Sequence, residues 1–143
     1  KWNNRLYNML QVGQTRWSDF AFQAEDSPKI NPIDGSPYGE HKVDDCWSVS
    51  LGSEYLWLLR RTEIPFRAGL GWEQRPAIGR PDEYWSVSLG TGFSLGKGRL
   101  KCVFDVAYVY EWADDVMGSL VPGEDVRSDV EKHQVFLSNI WHF

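Results

Sequence analysis

The chain has 143 residues, enough for one domain and too few for two. Hydrophobic residues make up 42% and charged residues 24%, which excludes a disordered tail, and no stretch reaches the ~20 unbroken apolar residues a membrane helix needs. A formal net charge of -5 leaves no basic footprint for phosphates, so no nucleic-acid partner is expected.

Aromatic residues stand at 15%, with 8 Trp. That is an excess for a soluble core of this size, because Trp and Tyr suit places where one end of the ring is wet. The two cysteines, Cys46 and Cys102, lie outside any C-x-x-C or His-rich context, so free thiols are expected and no metal. The chain opens Lys1-Trp2-Asn3 without a basic-then-apolar leader, so any secretory signal is expected to have been removed or to lie upstream.

Taken in chain order, the segments alternate with a period of two and none reads as a helix. A weaker strand covers roughly Arg5 to Phe20, followed by a long Pro/Gly-rich loop from about Ala24 to Asp44. From Trp47 the apolar positions are Trp47, Val49, Leu51, Tyr55 and Trp57, against Ser48, Ser50, Gly52 and Glu54. After a tight turn at Leu58 to Arg61, Ile64, Phe66, Ala68, Leu70 and Trp72 oppose Arg67, Gly69, Gly71 and Glu73. A medium loop (Arg75 to Asp82) leads to Trp85, Val87, Leu89, Phe93 and Leu95, opposed by Ser86, Ser88, Gly90 and Gly92. Beyond a tight turn at Gly96 to Gly98, Phe104, Val106, Tyr108, Tyr110 and Trp112 oppose Asp105, Ala107 and Glu111. A long acidic loop (Ala113 to Val130) precedes the last run, Val135, Leu137, Trp141 and Phe143 against Gln134, Ser138 and His142. The string W-S-V-S-L-G occurs at both Trp47 to Gly52 and Trp85 to Gly90. Because the residues that follow diverge, two strands running the same way through one environment explain it better than a duplicated unit.

Long and short connections alternate, so an up-and-down meander gathers the loops at one end and the turns at the other. Outer-membrane barrels have this asymmetry. A soluble barrel would carry abundant Lys and Glu on the face opposite the apolar one, whereas here that face is Ser, Gly and Ala with scattered charges. On the apolar face the rings collect at the strand ends: Trp47, Trp72, Trp85, Tyr110 and Trp112 toward the loops, and Tyr55, Trp57, Phe93, Trp141 and Phe143 toward the turns. Two girdles flanking an aliphatic band predict a lipid-facing wall. The expected fold is therefore an all-β, antiparallel, up-and-down transmembrane β-barrel segment of about six strands, one unit over residues 1–143.

Three stretches carry a specific resemblance: Thr15-Arg16-Trp17-Ser18-Asp19-Phe20; Phe66-Arg67-Ala68-Gly69-Leu70-Gly71-Trp72; and Asp82-Glu83-Tyr84-Trp85-Ser86-Val87-Ser88-Leu89-Gly90-Thr91-Gly92-Phe93. With the aromatic-ended last strand they resemble, in order, the C-terminal part of the FadL family of outer-membrane transporters for long-chain fatty acids and other hydrophobic compounds. The resemblance implies a 14-stranded barrel with an N-terminal hatch, no cofactor, and a location in the bacterial outer membrane. Six strands cannot enclose a pore, since a closed transmembrane barrel needs at least ~8. The chain is therefore expected to be completed by the N-terminal half of the same barrel, or else by further copies of itself. The resemblance also makes Phe143, with Trp141 before it, the C-terminal signal read by the barrel assembly machinery.

The inward set by parity includes Ser48, Ser50, Glu54, Arg67, Glu73, Asp105, Glu111 and Gln134. Within it Arg67 is expected to meet a carboxylate, that of a ligand or of Glu54 or Asp105, because a charge left alone in a low dielectric is costly. Phe136 and Ile140 also point inward and suit a greasy ligand or a plug. Arg67, Glu54, Asp105, Phe136 and Ile140 are thus the candidate ligand contacts. At the loop end Asp44-Asp45 and Asp114-Asp115, with His133 opening the last strand near them, are read as solvated rim residues able to share divalent cations with lipopolysaccharide. A His activating water beside a carboxylate is the catalytic alternative, but nothing fixes a nucleophile or an oxyanion hole. The expected function is passive uptake of fatty acids or similar hydrophobic molecules. Competing readings are a soluble lipocalin-like carrier, an outer-membrane enzyme using the rim His and Asp, and a ligand-free structural barrel.

Overall fold

The computed structural model describes residues 5–25, 27–40, 43–59, 62–97, 100–117 and 127–142. They form six antiparallel strands: β1 (Leu6–Thr15), β2 (Cys46–Leu58), β3 (Glu63–Arg75), β4 (Asp82–Lys97), β5 (Leu100–Met117) and β6 (Arg127–His142). All six lie in one sheet in sequence order, each hydrogen-bonded to the next, and no helix occurs among the described residues. The sheet is open, with β1 and β6 as its two edges.

Register follows from the period-two pattern, because a slip of one residue would turn every side chain to the wrong face. Val49 lies opposite Trp72, Trp72 opposite Trp85 and Trp85 opposite Trp112, so one face is apolar across β2 to β5. The face behind carries Ser50, Gly71, Ser86 and Glu111 in a matching row.

Three boundaries differ from the sequence pattern. β1 stops at Thr15 rather than near Phe20, because Phe20 N–H turns back to the Trp17 carbonyl at 3.2 Å and Asp45 holds the Ser18 hydroxyl at 2.6 Å. The acidic connection is shorter than expected: β5 runs on to Met117 and β6 begins at Arg127. Asp114-Asp115 interrupts the alternation without ending the strand, since a bulge between Ala113 and Val116 sets these two residues against Asp129 alone and absorbs the one extra residue. There Asp115 takes a φ of 60° and its carboxylate pairs with Arg127. His133 consequently sits well inside β6, opposite Tyr110, rather than opening the strand at the rim.

The β3–β4 ladder ends at Phe66 opposite Thr91, while β4 and β5 stay paired to Lys97 and Leu100. Pro65 has no N–H to donate, and its carbonyl accepts the Thr91 hydroxyl at 2.9 Å. The sheet forks at that point, toward the turns.

The long loop between β1 and β2 is built around Asn31, whose side chain is fully buried. Its amide nitrogen donates to the Trp17 carbonyl at 3.2 Å, and its oxygen accepts Ile33 N–H at 2.9 Å. Short bridges join Phe22 to Ile30 and Ile30 to Pro37.

Among the described residues no second layer covers the sheet. Among them Val43, Cys46, Ala77, Tyr84, Ala113 and Val116 are buried near the loop end, and Pro65 is buried toward the turns. The accessible surface is 11072 Å² for 16.5 kDa, against about 7,600 Å² for a compact soluble monomer of that mass.

The glycines of the small-residue face separate into tight and open positions. A Cβ on Gly92 would strike the Asp105 carboxylate and come within 2.5 Å of the Phe104 carbonyl, whereas a Cβ on Gly52 would meet nothing within 4 Å. Gly92→Ala is expected to destabilise by about 1–3 kcal/mol through overpacking. Gly52→Ala is expected to be neutral or stabilising by up to about 1 kcal/mol, because it restricts the unfolded chain. Urea unfolding in micelles, followed by Trp fluorescence, measures both.

Candidate functional site

The two faces of the sheet have different chemistry. On the apolar face Trp72 and Trp85 are in contact, centroids 6.4 Å apart, and Trp112 continues the row on β5. Trp47 lies beyond Trp72 toward the loops, where its N–H donates to Gln74 Oε1 at 3.0 Å. At the turn end, Trp57 packs on Phe66 at 6.3 Å and Phe93 stacks on Phe104 at 5.1 Å. Tyr55 faces Phe66 across the ladder, and Trp141 follows Cys102 on the outermost row. Between the bands lie aliphatic rows such as Leu10, Leu51, Leu70 and Val87. All the tryptophans carried by strands thus share one face. Phe66 and Phe104 belong to the turn-end band although the sequence pattern did not place them in it. Their parity was the available signal.

From Trp47 to Trp57 the chain rises about 33 Å at ~3.3 Å per residue, or about 25 Å at a strand tilt of ~40°. That equals the ~25 Å apolar band of outer-membrane barrels.

This face has polar breaks on the edge strands. Ser53 donates to Asn8 Oδ1 at 2.9 Å across β1 and β2. His133 stacks on Tyr110 at 4.9 Å, and its Nδ1 lies 2.6 Å from the Tyr108 hydroxyl. Its partners are therefore phenols on the apolar face rather than rim carboxylates.

The opposite face holds the five candidate ligand contacts. Arg67, near the middle of β3, bonds Glu54 Oε2 on β2 through Nε at 2.5 Å and Asp105 Oδ1 on β5 through a terminal nitrogen at 2.6 Å. To reach β5 it passes over β4, where Gly90 and Gly92 present no side chain. Phe136 stands two strands beyond Gly90 in the same row, opposite Ala107, and Ile140 stands opposite Val103. The charged trio is therefore in direct contact, and the two apolar candidates form a separate patch beside it.

A second cluster lies nearer the loops, and its centre, Arg75, closes β3 rather than opening the loop that the sequence pattern predicts. Arg75 bonds Glu73 at 2.6 Å and Glu111 at 2.8 Å, and its guanidinium carbon sits 3.7 Å above the Tyr84 ring. Glu111 Oε1 is buried without a hydrogen-bond partner. Arg75 has the same parity as Arg67 and Glu73, which was the clue in the sequence.

At the rim, Asp45 is occupied by Ser18 and Gln14, and Asp115 by Arg127. Among the described residues no three His, Cys, Asp or Glu side chains converge as metal ligands. Cys46 is a buried free thiol at the loop end and Cys102 a free thiol at the turn end. Phe143 lies outside the described residues.

Comparison with protein-family models, with curated proteins and with solved structures finds no match to this chain.

The two arginine clusters differ in kind from the exposed rim pair Arg16–Asp19 at 3.8 Å. Arg67→Gln is expected to cost about 1 kcal/mol, since it leaves two carboxylates facing each other, and Arg16→Gln less than about 0.5 kcal/mol. Urea unfolding of the two variants under one condition checks the order.

Proposed function

We propose that the chain is a wall segment of a transmembrane β-barrel in the bacterial outer membrane, serving passive uptake of hydrophobic compounds in the manner of the FadL-like transporters it resembles. The observation that carries this reading is the pair of aromatic bands on one face, separated by aliphatic rows over the height of a hydrocarbon layer. Trp85 is 49% exposed and Leu89 66%, and an apolar face of that extent in water would mark an interaction surface. Lipid is the medium that matches its banding.

The small-residue face then forms the lumen. Its hydroxyls and paired charges tolerate water, while Phe136, Ile140 and Val103 offer a greasy strip. The unpaired edges of β1 and β6 are where further strands join, from the N-terminal half of the barrel or from other copies, because an open strand edge leaves N–H and C=O groups unsatisfied in lipid. Hydrophobic small molecules of the long-chain, fatty-acid-like kind are the ligand class; outer-membrane lipid, lipopolysaccharide and the assembly machinery are the surroundings. A soluble carrier would instead close over its apolar face, and the surface of this sheet is about half as large again as a compact monomer requires.

Brominated phospholipids quench the tryptophans they touch. In vesicles of such lipids the strand tryptophans, all on one face, are expected to lose most of their emission relative to unbrominated vesicles. Unchanged emission, with a monomer that stays dissolved without detergent, would overturn the membrane reading.

A further inference from the structure

We infer that the small-residue wall selects against a carboxylate head group and accepts an uncharged or cationic head on a hydrophobic chain. The inference rests on the uptake reading and narrows its ligand class. Three observations converge on it.

First, the two arginines at the centre of this face are already paired. Arg67 is held between Glu54 and Asp105 at 2.5 and 2.6 Å, and Arg75 between Glu73 and Glu111 at 2.5 and 2.8 Å. Each cluster sums to one negative charge. A fatty-acid carboxylate would have to displace an existing carboxylate while its own charge is repelled by the one remaining. Lys132, a further cation on this face, stands opposite Glu111 in the register and is exposed, and Lys101 holds a register position at the turn end of the same face, opposite Gly96.

Second, the open hydrogen-bonding capacity at the upper cluster is an acceptor. Glu111 Oε1 is buried and without a partner, and a buried acceptor of this kind is stabilised by an O–H or N–H that reaches it. An alcohol or an ammonium can donate there. An ionised carboxylate has no proton to give.

Third, space and apolar surface lie next to the charges. Gly71, Ser50 and Ser86 leave a hollow of about 210 Å³ beside Glu111, and the apolar residues Val109, Phe136 and Ile140 follow on β5 and β6. A chain along those residues would bring its head toward the clusters.

The test uses the whole protein in a non-ionic detergent at neutral pH, with the uncharged fluorophore phenylnaphthylamine as reporter. Dodecanol, dodecylamine and dodecanoate, which differ only in the head, compete for it. Dodecanol and dodecylamine are expected to displace the reporter at concentrations at least about 10-fold lower than dodecanoate. Asp105→Asn, and separately Glu54→Gln, remove one carboxylate from the Arg67 cluster. Each is expected to bring dodecanoate within about 3-fold of dodecanol, a gain of binding that an unfolded variant could not produce. Dodecanoate competing as well as dodecanol in the unaltered protein would overturn the head-group inference and leave uptake standing. If none of the three displaced the reporter, or the reporter did not bind, the uptake reading itself would fall and the inference with it.

Discussion

The antiparallel register is the constraint on which everything else depends. Once Val49 is set against Trp72 and Trp72 against Trp85, every other side chain of β2 to β5 is assigned to a face, because successive residues must point in opposite directions. Two unlike surfaces result from one backbone arrangement. Rings and aliphatic chains are presented on one, hydroxyls, glycines and guanidinium clusters on the other. Among the described residues neither surface is covered by a second layer, and the buried apolar cluster is the small knot of Tyr84, Ala113 and Val116 near the loops. The sheet's stability must draw on whatever lies against those faces.

The charged clusters show how the small residues and the polar ones depend on each other. Arg67 reaches Asp105 only because β4 passes beneath it with Gly90 and Gly92. At Gly92 the Asp105 carboxylate occupies the volume a side chain would need. The glycines that look like gaps in the alternation are thus the path of a guanidinium across a strand. Partners on both sides leave Arg67 paired twice although its side chain is 45% exposed.

Much of this could be read from the sequence, for a definite reason: a strand's faces depend only on parity, and parity is local. That is why Glu54, Arg67 and Asp105 could be placed on one side of the sheet before any coordinate was known, and why six strands and their turns fell close to their observed positions. What could not be read depends on register across connections. The tie from Arg75 to Glu111 crosses two strand pairings, and the run from Ala113 to Met117 stays extended through a bulge, where an acidic pair normally signals a loop. The position of His133 follows from the same bulge, since a strand that starts at Arg127 carries its seventh residue into the middle of the wall. The fork after Phe66 has a visible cause in Pro65, but its effect needs the neighbouring hydroxyl of Thr91 to be recognised.

The loop between β1 and β2 hangs on the single amide of Asn31, which is 0% exposed and bonded to both Trp17 and Ile33. Asparagine ages by attack of the following residue's backbone nitrogen on the side-chain carbonyl, a cyclisation that ends in aspartate or isoaspartate. Here the following residue is Pro32, whose nitrogen carries no hydrogen and is locked in its ring. The usual deamidation route is closed by covalent structure alone, so the pin of the loop is spared the slow conversion that would set a carboxylate at a fully buried position.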